Sequence, residues 1–200
     1  MKKPERQSQI LESAARLFSQ RRFDEVLMDD IAREAGVAKG TLYTYYKEKE
    51  ELYFAVVFDG ISKLNELLEA RASTGGSPEH RLEEVMAAIL LFFRQNRFFF
   101  RLMSVEDAKA EAGRGAYRHR WQEERSKQIA VIEAVLASGM ASGDFRIYHL
   151  RTQAQILRGM VRSVLTSGED LTADQMVEVI MRTFLRGLRP DPDRPATAPA

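Results

Sequence analysis

The chain has 200 residues, 44% hydrophobic and 30% charged, with a formal net charge of +1 and no cysteine. Such a composition is globular rather than disordered, and it excludes disulfides, thiolate metal sites and thiol nucleophiles. Residues 1–50 carry ten Lys or Arg against nine Asp or Glu, so a polyanionic partner cannot be argued from bulk charge and must be met by charge placed on one face.

Every periodic segment has the helical period, and no alternating strand is convincing, so the expected fold is all-α with nine helices. The first helix spans about 4–20, with proline in its first turn and Ile10, Ala14, Leu17 and Phe18 on its inner face. Residues 28–47 then describe two short helices and a tight turn. Ile31, Ala32 and Ala35 give the first an apolar stripe, and Gly36 can take the left-handed conformation that ends it. Val37 can lock the turn into the core. Leu42 and Tyr46, four apart, share the buried face of the second helix, about 38–46. Its other face carries Lys39, Thr41, Tyr43, Thr44, Tyr45 and Lys47, the cationic and hydrogen-bonding groups that phosphates and base edges require. This is a helix-turn-helix with a recognition helix.

A long helix follows over about 48–72, with Glu48, Glu50 and Glu51 suiting its positive end. After a break at 74–77, Ser77 caps a helix over about 78–95 whose first residue is Pro78. Asn96 caps a shorter helix holding Phe98, Phe99 and Phe100, which cannot all face inward because successive residues lie about 100° apart. A Gly113/Gly115 break precedes a helix of about 116–138, ended by a Gly139/Gly143 turn. Helices over about 150–167 and 173–188 close the fold, the last with Thr172 and Gln175 as a capping box. Residues 189–200, proline-rich, read as a disordered tail.

With the motif set after one helix and before a long one, the chain resembles the TetR family of bacterial transcription regulators. The likeness is strong over residues 8–54: Ile10 to Phe18, Asp30-Ile-Ala-Arg-Glu-Ala-Gly-Val37, and Lys39-Gly-Thr-Leu-Tyr43 with Lys47, Lys49, Glu50, Glu51 and Leu52. It implies a DNA-binding domain over 1–47 and a helical effector-binding and dimerisation domain over 48–188. It also implies that Lys39, Thr41 and Thr44 sit where relatives touch bases or nearby phosphates, and Tyr43, Tyr45 and Lys47 where they touch phosphates. Each also reads as a solvated charge or a packed ring with a wet hydroxyl. Three positions depart from the family's pattern. Leu27 replaces a capping Ser or Thr, Arg22 replaces a helix-ending glycine, and Tyr45 replaces a frequent histidine.

The resemblance implies a homodimer on a palindromic, double-stranded DNA operator, since two recognition helices must enter grooves about 34–36 Å apart. Ile156, Met160 and Val164 on one helix, with Met176, Ile180 and Phe184 on the next, are the candidate interface. Leu157, Val161 and Leu165 share the same wide stripe, which can serve its own core, a partner, or both. Phe93, Phe100, Met103, Tyr117, Trp121, Leu157 and Val161 are the candidate lining for a small lipophilic or aromatic effector, although aromatic stripes at this spacing are more often plain core. The expected function is a repressor released by that effector, and the alternative is a constitutive DNA-binding regulator.

Catalysis has no footing. Ser77, Ala116 and Arg146 stand three before the histidines His80, His119 and His149, so no Glu-x-x-His metal pair exists. No nucleophile elbow or phosphate loop occurs. No cofactor, metal site or catalytic residue is therefore expected. The apolar run Met86–Phe93 is too short to span a bilayer, and no apolar stretch follows the basic N-terminus as a signal peptide needs. The expected location is the cytoplasm, without a membrane partner.

Overall fold

The computed structural model describes residues 3–111, 113, 115 and 117–188, without the side chains of residues 3, 4, 111, 187 and 188. The expected tail 189–200 and the helix start at residue 116 lie outside the described residues. Among the described residues the fold is nine α-helices and one 3-10 turn, with no strand. The helices are α1 (Lys3–Gln20), α2 (Met28–Glu34), α3 (Lys39–Tyr45), α4 (Lys49–Ala72), α5 (Pro78–Gln95), α6 (Arg97–Glu111), α7 (Arg118–Ser142), α8 (Leu150–Thr166) and α9 (Ala173–Leu188). The 3-10 turn is Phe23–Glu25.

The chain divides into two compact units, Met1–Lys63 with Asn96–Trp121, and Leu64–Gln95 with Gln122–Ala200. The first therefore holds α1, α2, α3, the opening of α4, and α6. Its core is the set that the helical period picks out: Ile10, Ala14, Leu17 and Phe18 of α1, Ile31 and Ala32 of α2, Leu42 of α3, and Leu52 and Val56 of α4 are all buried. An aromatic chain continues it. Tyr53 meets Phe18 and Phe23 edge-on at 5.4 and 5.2 Å, and Phe54 lies 4.2 Å from Tyr117. Burial is the main cause that raises the Tyr53 phenol above its ordinary pKa, with the charge of buried Glu106 adding to it. α6 is tied to α1 by Arg101, whose Nη2 donates to the Ser19 carbonyl at 3.0 Å.

The second unit packs α5, α8 and α9 around Leu82, Val85, Met86, Leu90, Leu157, Val161, Ile180 and Phe184. Its helix ends follow local chemistry. Ser77 Oγ accepts from the His80 amide at 3.2 Å, with Pro78 as the first helical residue. Thr172 and Gln175 form a complete capping box: the Thr172 amide donates to Gln175 Oε1 at 2.8 Å, and the Gln175 amide to Thr172 Oγ1 at 3.2 Å. The expected turn at Gly139 is absent, because α7 runs through it to Ser142 and breaks only at Gly143, φ 83°. Gly139 serves packing instead. A Cβ there would fall 2.2 Å from Cδ2 of Phe145, so the missing side chain is what lets that ring seat against the helix.

Candidate nucleic-acid interface

The turn between α2 and α3 is fixed by backbone chemistry. Gly36 adopts φ 60°; its amide donates to the Arg33 carbonyl at 3.1 Å, and the Val37 amide to the Ala32 carbonyl at 2.9 Å. These two bonds are the Schellman closure of a helix C-terminus, which needs a left-handed residue at that place. Nothing lies within 4 Å of a Cβ placed at Gly36, so the demand there is conformational, not steric. Opposite the turn, Leu42 is fully buried and Tyr46 nearly so, with the Tyr46 hydroxyl accepting from Gln7 Nε2 at 3.2 Å. Burial raises the Tyr46 phenol pKa.

With that face locked, the other side of α3 points outward. Lys39, Tyr43, Thr44 and Lys47 are exposed, while Thr41 and Tyr45 are half-buried. The cation of Lys39 sits 2.8 Å from Oδ1 of Asp29 in the first turn of α2, and this hydrogen bond and charge raise its pKa. Thr44 Oγ1 donates to the Gly40 carbonyl at 2.9 Å, so its proton is committed within the helix and its lone pairs remain for an incoming donor. The Lys47 amide donates to Glu51 Oε2 at 2.9 Å, which sets the link from α3 to α4.

The three departures from the family pattern have local answers. Leu27 is the residue before α2, extended and 59% exposed, and caps nothing with its side chain. Arg22 sits at φ −66°, ψ 154°, unstrained, with Nε 3.2 Å from Asp24 Oδ1. Tyr45 packs beside Tyr46 at 6.5 Å between ring centroids.

Spacing alone does not reveal the role of Lys49. Its Nζ donates to the carbonyls of Phe23 at 2.6 Å, Val26 at 2.9 Å and Asp24 at 3.5 Å, and lies 4.5 Å from the Phe23 ring centroid. One ammonium thus gathers the backbone between α1 and α2 and holds it to the start of α4. Arg21 and Arg33 flank Asp30 at 3.2 and 3.4 Å, and Arg16 meets Glu34 at 3.4 Å. Asp30 and Glu34 are therefore paired away from α3.

The remaining candidates divide between the units. Phe93, Leu157 and Val161 are buried in the second. Phe100, Met103, Tyr117 and Trp121 belong to the first, where Trp121 Nε1 donates to Asp107 Oδ1 at 3.0 Å. A groove of about 580 Å³ in the second unit, between α5 and α9, shares none of these residues; Glu79, Glu83 and Glu84 face Asp174, Glu178 and Arg182 across it. Of the candidate interface, Ile156 is 52% exposed, and Met160 and Val164 are half-buried. Met176, Ile180 and Phe184 are instead buried in their own unit, because α9 turns its apolar stripe against α5 and α8. Val179, 47% exposed, takes the outward place on α9. Among the described residues no helix is long and apolar enough to cross a membrane.

Residues 10–56 match the family model for bacterial regulatory proteins of the tetR family, and residues 75–188 match that for the tetracyclin repressor-like C-terminal domain. The HTH-type transcriptional regulator YhgD of Bacillus subtilis is 29% identical over 140 residues, 70% of this chain and 71% of that protein. The transcriptional regulator FadR of Bacillus subtilis, solved in complex with stearoyl-CoA, superposes with a TM-score of 0.75 at 18% identity over 90% of this chain and 98% of that one. AibR, solved in complex with isovaleryl coenzyme A and operator DNA, superposes with a TM-score of 0.71 at 22% identity over 89% and 97%. A folded turn built on Gly36, an outward α3 and two family models across the chain lead to one conclusion: this protein belongs to the TetR family and is a DNA-binding transcriptional regulator.

Proposed function

We propose that the protein is a repressor that binds a palindromic operator as a symmetric dimer and leaves it when an acyl-bearing lipophilic ligand occupies the second unit. The observation that carries the DNA part is the division of α3 into a locked face, Leu42 with Tyr46, and an outward face, Lys39, Tyr43, Thr44 and Lys47. An outward helix of seven residues presented by a rigid corner suits a major groove. Residues 1–47 form the reading head in this view, and residues 48–188 bind effector and partner. Tyr43, Tyr45 and Lys47 meet phosphates, while Lys39, Thr41 and Thr44 reach base edges or the phosphates beside them. Thr44, its proton committed to Gly40, accepts from an exocyclic amino group. The partner docks on the outward apolar line of Ile156, Met160 and Val164 of α8, and on the exposed Val179 of α9, so that two copies place their recognition helices about 34–36 Å apart. A dimer seated on DNA excludes other proteins from that sequence, which is repression.

The acyl ligand is supported by the fold neighbours, two of which were solved with coenzyme A thioesters, and by the apolar interior around Phe93, Leu157 and Val161. Effector and operator then oppose each other through linkage, each weakening the other by about 1–3 kcal/mol. Selection of bound sequences from random duplex DNA tests the reading. Recovered sites are expected to be palindromes. Thr44→Ala changes the preferred bases at one position of each half-site, whereas Tyr43→Ala and Lys47→Ala weaken binding to all sites alike. Recovery of no preferred sequence, or a protein that stays monomeric on DNA, overturns it. For the effector, a panel of acyl-CoA thioesters raises the melting temperature and lowers operator affinity; a panel that moves neither leaves a constitutive regulator.

A further inference from the structure

We infer that Lys49 and Glu51, in the first turn of α4, are positioning residues for DNA reading. Neither touches the duplex; together they hold the two ends of the helix-turn-helix so that α3 meets the bases in register. The inference rests on α3 as the helix that enters the groove, and goes beyond that reading by assigning residues outside it.

The corner formed by α2 and α3 is one piece. Gly36 closes its turn, Lys39 meets Asp29 across it at 2.8 Å, and Ile31, Ala32 and Leu42 are buried. Two short links lead out of it, residues 26–27 before α2 and residues 46–48 after α3. Each link is bonded to the same turn of α4. In front, Lys49 Nζ donates to the Val26 carbonyl at 2.9 Å, and to those of Phe23 and Asp24 at 2.6 and 3.5 Å. Behind, Glu51 Oε2 accepts from the Lys47 amide at 2.9 Å. Residues two apart on a helix point about 200° from one another, so one side chain goes to each link. Val26 and Tyr46, one in each link, are themselves buried. The corner is thus fastened at both ends, and the opening turn of α4 sets the direction of α3.

The chemistry of the two residues separates them from the phosphate contacts. An ammonium has three N–H donors, and in Lys49 three carbonyls take them, with the Phe23 ring centroid 4.5 Å away. Reaching a phosphate would strip those carbonyls of their donor. Glu51 is an anion that a phosphate repels, and its part is that of an acceptor. Neither residue adds to the electrostatic grip on the duplex.

Two length scales distinguish positioning from contact. Hydrogen bonds to base edges need donor–acceptor distances of about 2.7–3.2 Å. The attraction of a cation for phosphates extends over about 10 Å at 0.1 M salt. A corner released at one end and displaced by about 1 Å leaves the first range and stays within the second. Specific binding then falls, while non-specific binding and its salt dependence remain.

Fluorescence anisotropy on the full chain tests this, with a duplex selected from random DNA and a scrambled duplex of the same composition, at several ionic strengths. Circular dichroism at the assay temperature first establishes that each variant is folded. Lys49→Met is expected to weaken the selected site by about tenfold, the worth of one base contact. Its affinity for the scrambled duplex and its salt slope stay as in the native protein, and Lys49→Arg, which keeps the donors, recovers most of the loss. Glu51→Ala weakens the selected site in the same way. Glu51→Gln, equally uncharged but still an acceptor, restores it. Should Lys49→Met not fold, the Glu51 variants decide, since they alter one exposed carboxylate. A slope shallower by about 1.8 in Lys49→Met, two phosphates per dimer, puts the ammonium on DNA and overturns the inference. Equal loss on both duplexes overturns it too, as does an unchanged selected-site affinity in Glu51→Ala, or a Glu51→Gln no better than Glu51→Ala. The reading of α3 survives these outcomes as long as Thr44→Ala still changes the preferred bases. If it does not, or if selection yields no preferred site, both fall.

Discussion

Gly60 of α4 is buried where α6 crosses it, and a Cβ there would fall 2.1 Å from Cε1 of Phe99, 2.5 Å from Cδ1 and 2.6 Å from Cζ. Carbon atoms in contact sit about 3.5–4.0 Å apart, so Gly60→Ala forces the ring back by more than an ångström. Overpacking of this kind costs about 1–3 kcal/mol. Against it, alanine in a helix interior is worth about 1 kcal/mol over glycine. The net expectation is a loss of about 1 kcal/mol, or about 2–4 °C in melting temperature for a chain of this size. In a Phe99→Ala background the obstacle is gone and only propensity remains, so the same substitution should stabilise by about 1 kcal/mol. Urea unfolding of the four proteins of the cycle, followed by the fluorescence of Trp121, reads the unit that contains both residues. A reversal of sign is the expected result. If Gly60→Ala has the same effect in both backgrounds, the ring is not seated against Gly60 and the account of how α6 joins the reading head's unit fails.

Lys49→Met keeps the stem over Phe23 but removes the ammonium from three carbonyls. Two of these are solvent-exposed and will be met by water, so the loss should be nearer about 2 kcal/mol than the sum of three charge-assisted bonds, and Lys49→Arg should recover part of it in the same denaturation assay. The raised pKa of Tyr53 means that the unfolded chain loses this proton near pH 10 while the folded one retains it. Stability should therefore be full below pH 10 and fall above it, and Tyr53→Phe should flatten that alkaline limb in a pH series of melting curves.

Local chemistry was legible in the sequence to the residue. Gly36 ends α2 in the left-handed conformation, Ser77 and Thr172 cap α5 and α9, and Leu42 and Tyr46 point inward, because each depends on neighbours within four positions. What escaped reading depends on residues far apart in the chain. Lys49 reaches back 26 residues to the Phe23 carbonyl, and the bare backbone of Gly60 seats the ring of Phe99 far along the chain. Amphipathic stripes on α8 and α9 announce an apolar face but not what covers it. Ile156 and Ile180 look alike in the sequence, yet one is 52% exposed and the other fully buried. The grouping of α6 with α1, α2 and α3 likewise has no local signal; Arg101 reaches Ser19 across 82 positions.

A near-neutral chain that reads DNA should show it in the salt dependence. Lys39 and Lys47 are the cations carried by α3 and the turn after it, and one of them is already paired, Lys39 with Asp29 at 2.8 Å. Arg16, Arg21 and Arg33 spend their charge on Glu34 and Asp30. The remaining outward groups, Tyr43, Thr44 and Tyr45, are uncharged and displace no counterion. Lys47 alone, two cations per dimer, corresponds to a slope of log affinity against log salt of about −1.8, and full engagement of Lys39 as well, four per dimer, sets the limit at about −3.6. Asp29→Asn keeps the size of the side chain, frees Lys39 and removes a negative charge from beside the duplex. It should tighten binding to every sequence at low salt and steepen the slope by up to about one for each protomer whose cation then engages a phosphate in full. Binding isotherms on one selected site at four ionic strengths measure both values. A native slope near −8 would require phosphate contacts by cations outside α3, and the assignment of the reading face to Lys39, Tyr43 and Lys47 would have to be abandoned. Weaker binding by Asp29→Asn would be equally decisive, since Asp29 would then orient Lys39 for the groove instead of competing for it.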